Sequence, residues 1–282
     1  MSTPRTLRGA VSANRPRRVL AAAAVFVVLL VVFLVMSRVR GSSHAGSPAG
    51  NAPLADTAPP GAVLLVPGYG GSTEGLATLA RVLRAAGRTV AVVRIPGQAE
   101  QSFAAQAVAL EAAVVAQEKA GRAPVDIVAH SNGGVLARFW ARHHDGAHRA
   151  RRIVTLGSPH HGTQLAAVAA AEAPDLCPEA CQEVRPDSAF LRALNSGDET
   201  PAGTDWVSVF TDLDDVVTPV ATSALGGGVN IRIQDVCADA RPDHGGLVTD
   251  PAVVGLVLDE VGALPVHAEP PSACARLRSL AG

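Results

Sequence analysis

From residue 62 onward, short apolar runs alternate with longer stretches of helical period, and this alternation is the strongest constraint on the fold. The runs 62–66 (AVLLV), 89–95 (TVAVVRI), 125–130 (VDIVAH), 152–158 (RIVTLGS), 206–212 (WVSVFTD) and 229–235 (VNIRIQD) read as strands. The first is apolar at every position, as in a strand buried on both faces. Between them, 75–87, 103–121 and 135–144 carry helical spacing, and 251–262 forms a last helix with Pro251 at an allowed early position. Strands alternating with helices predict an α/β fold with a mostly parallel central sheet and helices on both faces. Residues 159–205 break the rhythm as a long insertion with a short helical piece at 188–195. A connection of that length usually shapes a site. Its apolar stretches 165–173 and 189–194 read as core helices, with a lining or lid role for a pocket as the alternative.

The region before residue 62 has another character. An apolar run at 19–36 is long enough for one crossing of a bilayer core. Arg5, Arg8, Arg15, Arg17 and Arg18 precede it, and Arg38 and Arg40 follow. This bias keeps a basic segment, 1–18, inside and exports the body, making 19–36 a transmembrane signal anchor. A cleaved signal peptide is the rival, with Ser43-x-Ala45 as a cleavage site. The run is long for such a peptide, and two arginines follow it directly. Residues 37–61, rich in Gly, Ser, Ala and Pro, read as a flexible linker. The folded body is expected over 62–264, with 265–282 as a tail. Residues 1–50 hold seven Arg and no acid, so within a net charge of −1 the remainder carries −8. An acidic body offers no electrostatic ground for binding nucleic acid.

Four cysteines, Cys177, Cys181, Cys237 and Cys274, suit an exported body with two disulfides. Three pairings exist; proximity favours Cys177–Cys181 and leaves Cys237–Cys274. Zinc is the weaker alternative, because C-x₃-C occurs once without a matched second pair.

The chemistry gathers at expected strand ends. Ser131 stands where a strand meets a helix, in the order small-x-Ser-x-small: Ala129, His130, Ser131, Asn132, Gly133. Such a turn projects a serine hydroxyl above the sheet edge and tolerates only small residues two before and two after it. The N–H of Asn132, at the helix start, is one candidate oxyanion donor, and the N–H of Tyr69 in the loop 67–71 is the other. No Gly-Lys-Ser/Thr follows that loop, which excludes a P-loop. A strand ending in three aspartates supplies an acid: Asp214 is preferred, with Asp212 and Asp215 as rivals. His244 follows in a loop, giving the chain order Ser, Asp, His. His267 lies in a Pro-rich stretch, and the pairs His143/His144 and His160/His161 read as solvated or locally bonded.

In these motifs the chain resembles the small bacterial triacylglycerol lipases and esterases of the α/β-hydrolase superfamily. The matching positions are Pro67-Gly68-Tyr69-Gly70-Gly71, the elbow 129–134, the turn LGSPHHGT at 156–163, the acid strand, and HGGL at 244–247. Pro67 departs from the histidine common in that family. The resemblance implies an α/β-hydrolase fold and an ester or lipid substrate. It implies Ser131 as nucleophile, His244 as base, Asp214 as its orienting acid, an oxyanion hole from Tyr69 and Asn132, and no metal or organic cofactor. An envelope acyltransferase with the same triad, or an inactive envelope protein, are the alternatives.

Overall fold

The computed structural model describes residues 60–262 and 265–282. The expected basic segment, the membrane-spanning run and all but the end of the linker lie outside the described residues. Among those described, no helix is long and apolar enough to cross a membrane.

In chain order the elements are β1 (Val63–Val66), α1 (Leu76–Ala85), β2 (Val90–Val92), α2 (Phe103–Lys119), β3 (Val125–His130), α3 (Asn132–His143) and β4 (Ala150–Leu156). There follow α4 (Gln164–Glu172), α5 (Glu179–Glu183), α6 (Ala189–Leu194), β5 (Asp205–Phe210), β6 (Val229–Arg232), α7 (Ile233–Val236), α8 (Pro251–Glu260) and α9 (Cys274–Leu280). The six strands form one sheet in the order β2-β1-β3-β4-β5-β6. Every neighbouring pair is parallel.

The period of two along each strand explains the continuous apolar runs. Val63 and Leu65 join one core with α1 and α8, while Leu64 and Val66 join a second core with α2 and α3. Burial on both faces requires apolar side chains at odd and even positions alike. Local signals set the helix starts. Asp250 caps α8 by accepting from the N–H groups of Ala252 and Val253, and Ser188 caps α6 by accepting from Leu191.

The order of connections matters for function. From β1 the chain moves outward to β2, then returns past β1 to β3. The order in which the chain adds strands therefore reverses between β1 and β3, and the crevice beyond their C-terminal ends is where open α/β sheets hold ligands. The loop 67–71 follows β1, and Ser131 follows β3.

Three segments differ from the sequence reading. The strand expected over 229–235 stops at Arg232 and turns into α7, because Ile233 and Val236 are both buried at helical spacing. The segment 265–282, read as a tail, carries α9, which packs on α8 with Leu277 fully buried. An added Cβ at Gly255 would lie 1.8 Å from the carbonyl oxygen of Leu277, so only glycine allows this approach. The disulfides are Cys177–Cys181 and Cys237–Cys274, and the second ties α9 to the residue after α7. The third difference is α4. Of its residues only Ala166 is buried, whereas Leu165 and Val168 are exposed. It is not a core helix; its apolar face borders a cavity.

Candidate active site

The backbone at Ser131 is held at φ 54°, ψ −130°, a region that costs a non-glycine residue about 1–3 kcal/mol. Its surroundings impose this geometry. Leu156 O accepts from the Ser131 N–H at 2.9 Å, which carries the ladder between β3 and β4 up to the turn. The helix α3 then starts at once, against the end of β1. A Cβ on Gly133 would lie 2.6 Å from the carbonyl oxygen of Pro67, and one on Gly68 would lie 2.7 Å from Cβ of Ser131. The smallness demanded after the serine, and at Gly68 in the facing loop, is thus a contact between two strand ends.

Three side chains from three loops meet here. His244 Nε2 lies 3.0 Å from Ser131 Oγ, and His244 Nδ1 lies 2.9 Å from Asp214 Oδ2. An ionised carboxylate only accepts, so Nδ1 carries the ring proton and the Nε2 lone pair faces the serine hydroxyl. The other oxygen of Asp214, Oδ1, accepts from the N–H groups of Val216 (3.0 Å) and Val217 (2.7 Å). The acid and histidine loops are tied by Thr211 Oγ1, which donates to Pro242 O at 2.9 Å. All three residues are buried.

The rival aspartates are elsewhere. Asp212 is exposed and paired with Arg232 at 3.1 Å, and Asp215 is exposed. His160 is buried rather than solvated: Nε2 meets Thr155 Oγ1 at 3.0 Å, and burial, with Arg138 nearby, pushes its pKa down. His161 pairs with Glu199 at 2.8 Å.

Two cavities open on either side of Ser131. One, of about 200 Å³, has Tyr69, Ser131 and Asn132 in its wall and is lined further by Leu165, Ala166 and Ala169 of α4 together with Leu176, Cys181 and Val184. The other, of about 330 Å³, includes His130, Ser131, His244 and Gly245 with Gly68, Ser72 and Leu76. Neither wall contains Lys, Arg, Asp or Glu. The N–H of Asn132 belongs to the first turn of α3, where no intrahelical acceptor exists.

Sequence reasoning missed His130. Its Nε2 lies 3.0 Å from the carbonyl oxygen of His244, and the two rings are 4.8 Å apart. Its place beside Ser131 was visible, but its long-range partner was not.

Among the described residues, one group could offer metal-ligand atoms within 4.8 Å of one another: Asp259, His267 and Glu269. Arg276 already bonds both carboxylates, 2.9 Å from Asp259 Oδ1 and also against Glu269. A guanidinium in that position supplies the positive charge a metal would bring.

A family model for the alpha/beta hydrolase fold matches residues 61–177. Solved structures agree over more of the chain. The lipase B of Aspergillus fumigatus superposes with a TM-score of 0.60 at 17% identity, covering 84% of this chain and 64% of that one. A Bacillus licheniformis lipase in its mature form gives 0.60 at 18%, covering 77% and 96%. The phospholipase PlaB of Legionella pneumophila gives 0.55 at 13%, covering 77% and 62%. The chain thus spans under two thirds of the Aspergillus and Legionella proteins. No curated protein matches it. These similarities establish that the body has the α/β-hydrolase fold. Fold alone assigns no reaction, which has to be argued from the site.

Proposed function

We propose that the chain is a carboxylic-ester hydrolase that works through an acyl-enzyme on Ser131. The observation that carries this reading is the unbroken line from Asp214 through His244 to Ser131, with contacts of 2.9 and 3.0 Å, ending on a strained serine between two cavities.

In this reading Ser131 Oγ attacks the ester carbonyl while His244 Nε2 takes its proton. Asp214 holds the tautomer and stabilises the imidazolium. The N–H groups of Tyr69 and Asn132 receive the oxyanion, a contribution of about 3–4 kcal/mol for each donor at comparable sites. The tetrahedral adduct collapses, and His244 returns the proton to the leaving alkoxide. Water then attacks the acyl-enzyme by the reverse of these steps. The residues require no cofactor for this chemistry.

The cavities give the substrate a direction. The leaving oxygen must be reached by His244, so the alcohol belongs in the larger cavity, which has His244 in its wall. The acyl chain then enters the smaller, apolar cavity under α4. Walls without charged residues favour a neutral ester, because a charged one would lose hydration without a counter-charge. The basic-flanked run at 19–36 and the two disulfides support a body held outside a membrane.

Hydrolysis of p-nitrophenyl esters of increasing chain length, beside Ser131→Ala, tests the reading. The expected result is turnover only with Ser131, with butyrate to octanoate ahead of palmitate. Equal rates for the two proteins would sink it.

A further inference from the structure

We propose that His130 is a positioning residue for His244, fixing the backbone of the loop that carries this ring to Ser131. The proposal rests on the ester-hydrolase reading above and adds to it a residue outside the triad.

The geometry is a two-point grip made by consecutive residues. Ser131 Oγ meets the ring of His244 at 3.0 Å, and the His130 side chain meets the carbonyl oxygen of the same residue, also at 3.0 Å. Both come from the end of β3, the strand flanked by β1 and β4. The loop before His244 is also fastened at Ala240, through Gln234, and at Pro242, through Thr211, and leads into a single short turn at Gly245–Val248. Without His130, the peptide of His244 would have no side-chain hydrogen bond from the end of β3, and only the ring contacts to Asp214 and Ser131 would hold the residue in place. A displacement of about 1 Å at a reacting group can cost a hundredfold in rate.

The chemistry of the contact is equally specific. A carbonyl oxygen only accepts, so His130 Nε2 carries its proton and donates. The two rings lie 4.8 Å apart at 41°, so a charge on His130 would oppose the imidazolium formed on His244 during the reaction. Loss of hydration pushes His130 down to about 4, and the neighbouring His244 acts in the same direction; the bond to the His244 carbonyl and the Asp214 carboxylate oppose it. The residue is therefore a neutral donor at neutral pH. A lysine would donate but bring the charge, and an aliphatic residue would pack but not donate.

The test compares His130→Gln with His130→Met in the full chain. The two side chains have similar size and shape, and only glutamine offers an N–H. On p-nitrophenyl butyrate, kcat of the Met variant is expected to fall by about ten- to a hundredfold with KM within about twofold. The Gln variant is expected to recover to within about threefold of the parent. His130→Leu repeats the donor-free case in another shape and is expected to match Met. Thermal melting of each variant shows that folded proteins are being compared. Equal kcat in the Gln and Met variants, whether high or low, would overturn the proposal. So would a loss in only one of Met and Leu, because the effect would then follow shape. Ser131→Ala measured alongside separates the two levels. If it is as active as the parent, the hydrolase reading itself fails; if it is inactive while Gln and Met are equal, only the role of His130 fails.

Discussion

Strand β3 carries a buried polar cluster at each end, and the two differ in kind. Near its start, Asp126 is fully buried and accepts from Arg151 Nε (2.9 Å), Arg151 Nη2 (2.7 Å) and Arg88 Nη2 (2.7 Å). These two arginines, joined by Arg152, continue to the end of α8. Arg151 donates to Val261 O and Gly262 O, Arg152 to Glu260 O and Gly262 O, and Arg88 to Val261 O. These are carbonyls that a helix leaves without partners at its C-terminus, and positive charge is favourable there. The cluster is well satisfied, since each oxygen of the Asp126 carboxylate and the carbonyls of Glu260, Val261 and Gly262 all have donors. Past the other end of β3, Ser131, His244 and Asp214 also form a buried chain. There the backbone is strained, and two cavities reach the serine. Buried charge alone is therefore no mark of chemistry. A strained nucleophile with an open approach, next to a base that still has a lone pair, is what separates the two ends.

Substitutions at the two ends should fail in different ways. The largest effect is expected from Asp214→Asn, with kcat down by about 10³–10⁴-fold, the scale seen when a triad carboxylate is neutralised. Asp212→Asn and Asp215→Asn should stay within about threefold. A comparable loss in either would reassign the acid, and steady-state kinetics on one ester decides it. Next comes Asp126→Asn. Removing one partner of a buried ion pair leaves Arg151 uncompensated, at a cost of about 3–5 kcal/mol. Thermal melting should show a fall on the order of 10 °C, with kcat per folded molecule unchanged. A drop in kcat without a drop in melting temperature would erase the distinction between the ends.

The smallest effect concerns Glu260, beside the Asp126 cluster. Both of its carboxylate oxygens are buried without a hydrogen-bond partner. Burial raises its pKa to about 7, against the pull of His267 and Arg152. The folded protein thus keeps a proton that the unfolded chain releases near its ordinary value. The stability this contributes is present below about pH 4.5 and lost as pH rises through about 7. Glu260→Gln should melt a few degrees higher than the parent at pH 8.5, a gain on the order of 1–2 kcal/mol, and converge with it near pH 5. A constant offset across that range would contradict the assignment.

How much of this was legible in the sequence follows from where each signal resides. The sheet was legible because burial on two faces writes continuous apolar runs, as at 62–66. The meeting of Ser131, Asp214 and His244 was approachable because Ser131 and Asp214 sit just past β3 and β5 and His244 lies in the connection between β6 and α8, and parallel strands deliver those segments to one edge. The choice among three aspartates was open in one dimension. In the fold, Val216 and Val217 N–H grip Asp214, and Arg232 draws Asp212 away. The helix α9 was missed because its burial rests on few residues, chiefly Leu277, and on a disulfide between distant positions. The exposed face of α4 and the reach of His130 to the His244 carbonyl both depend on tertiary placement. No periodicity or local spacing encodes that placement.

The central claim is that Ser131 forms the covalent intermediate, and a stoichiometric trap tests it most directly. The full chain is treated with diethyl p-nitrophenyl phosphate, and the intact mass and peptide map are recorded. The expected result is one diethylphosphoryl group per chain, on the peptide containing Ser131, with an equivalent of p-nitrophenolate released and no adduct on Ser131→Ala. An unmodified parent chain, or the same adduct on Ser131→Ala, would contradict it.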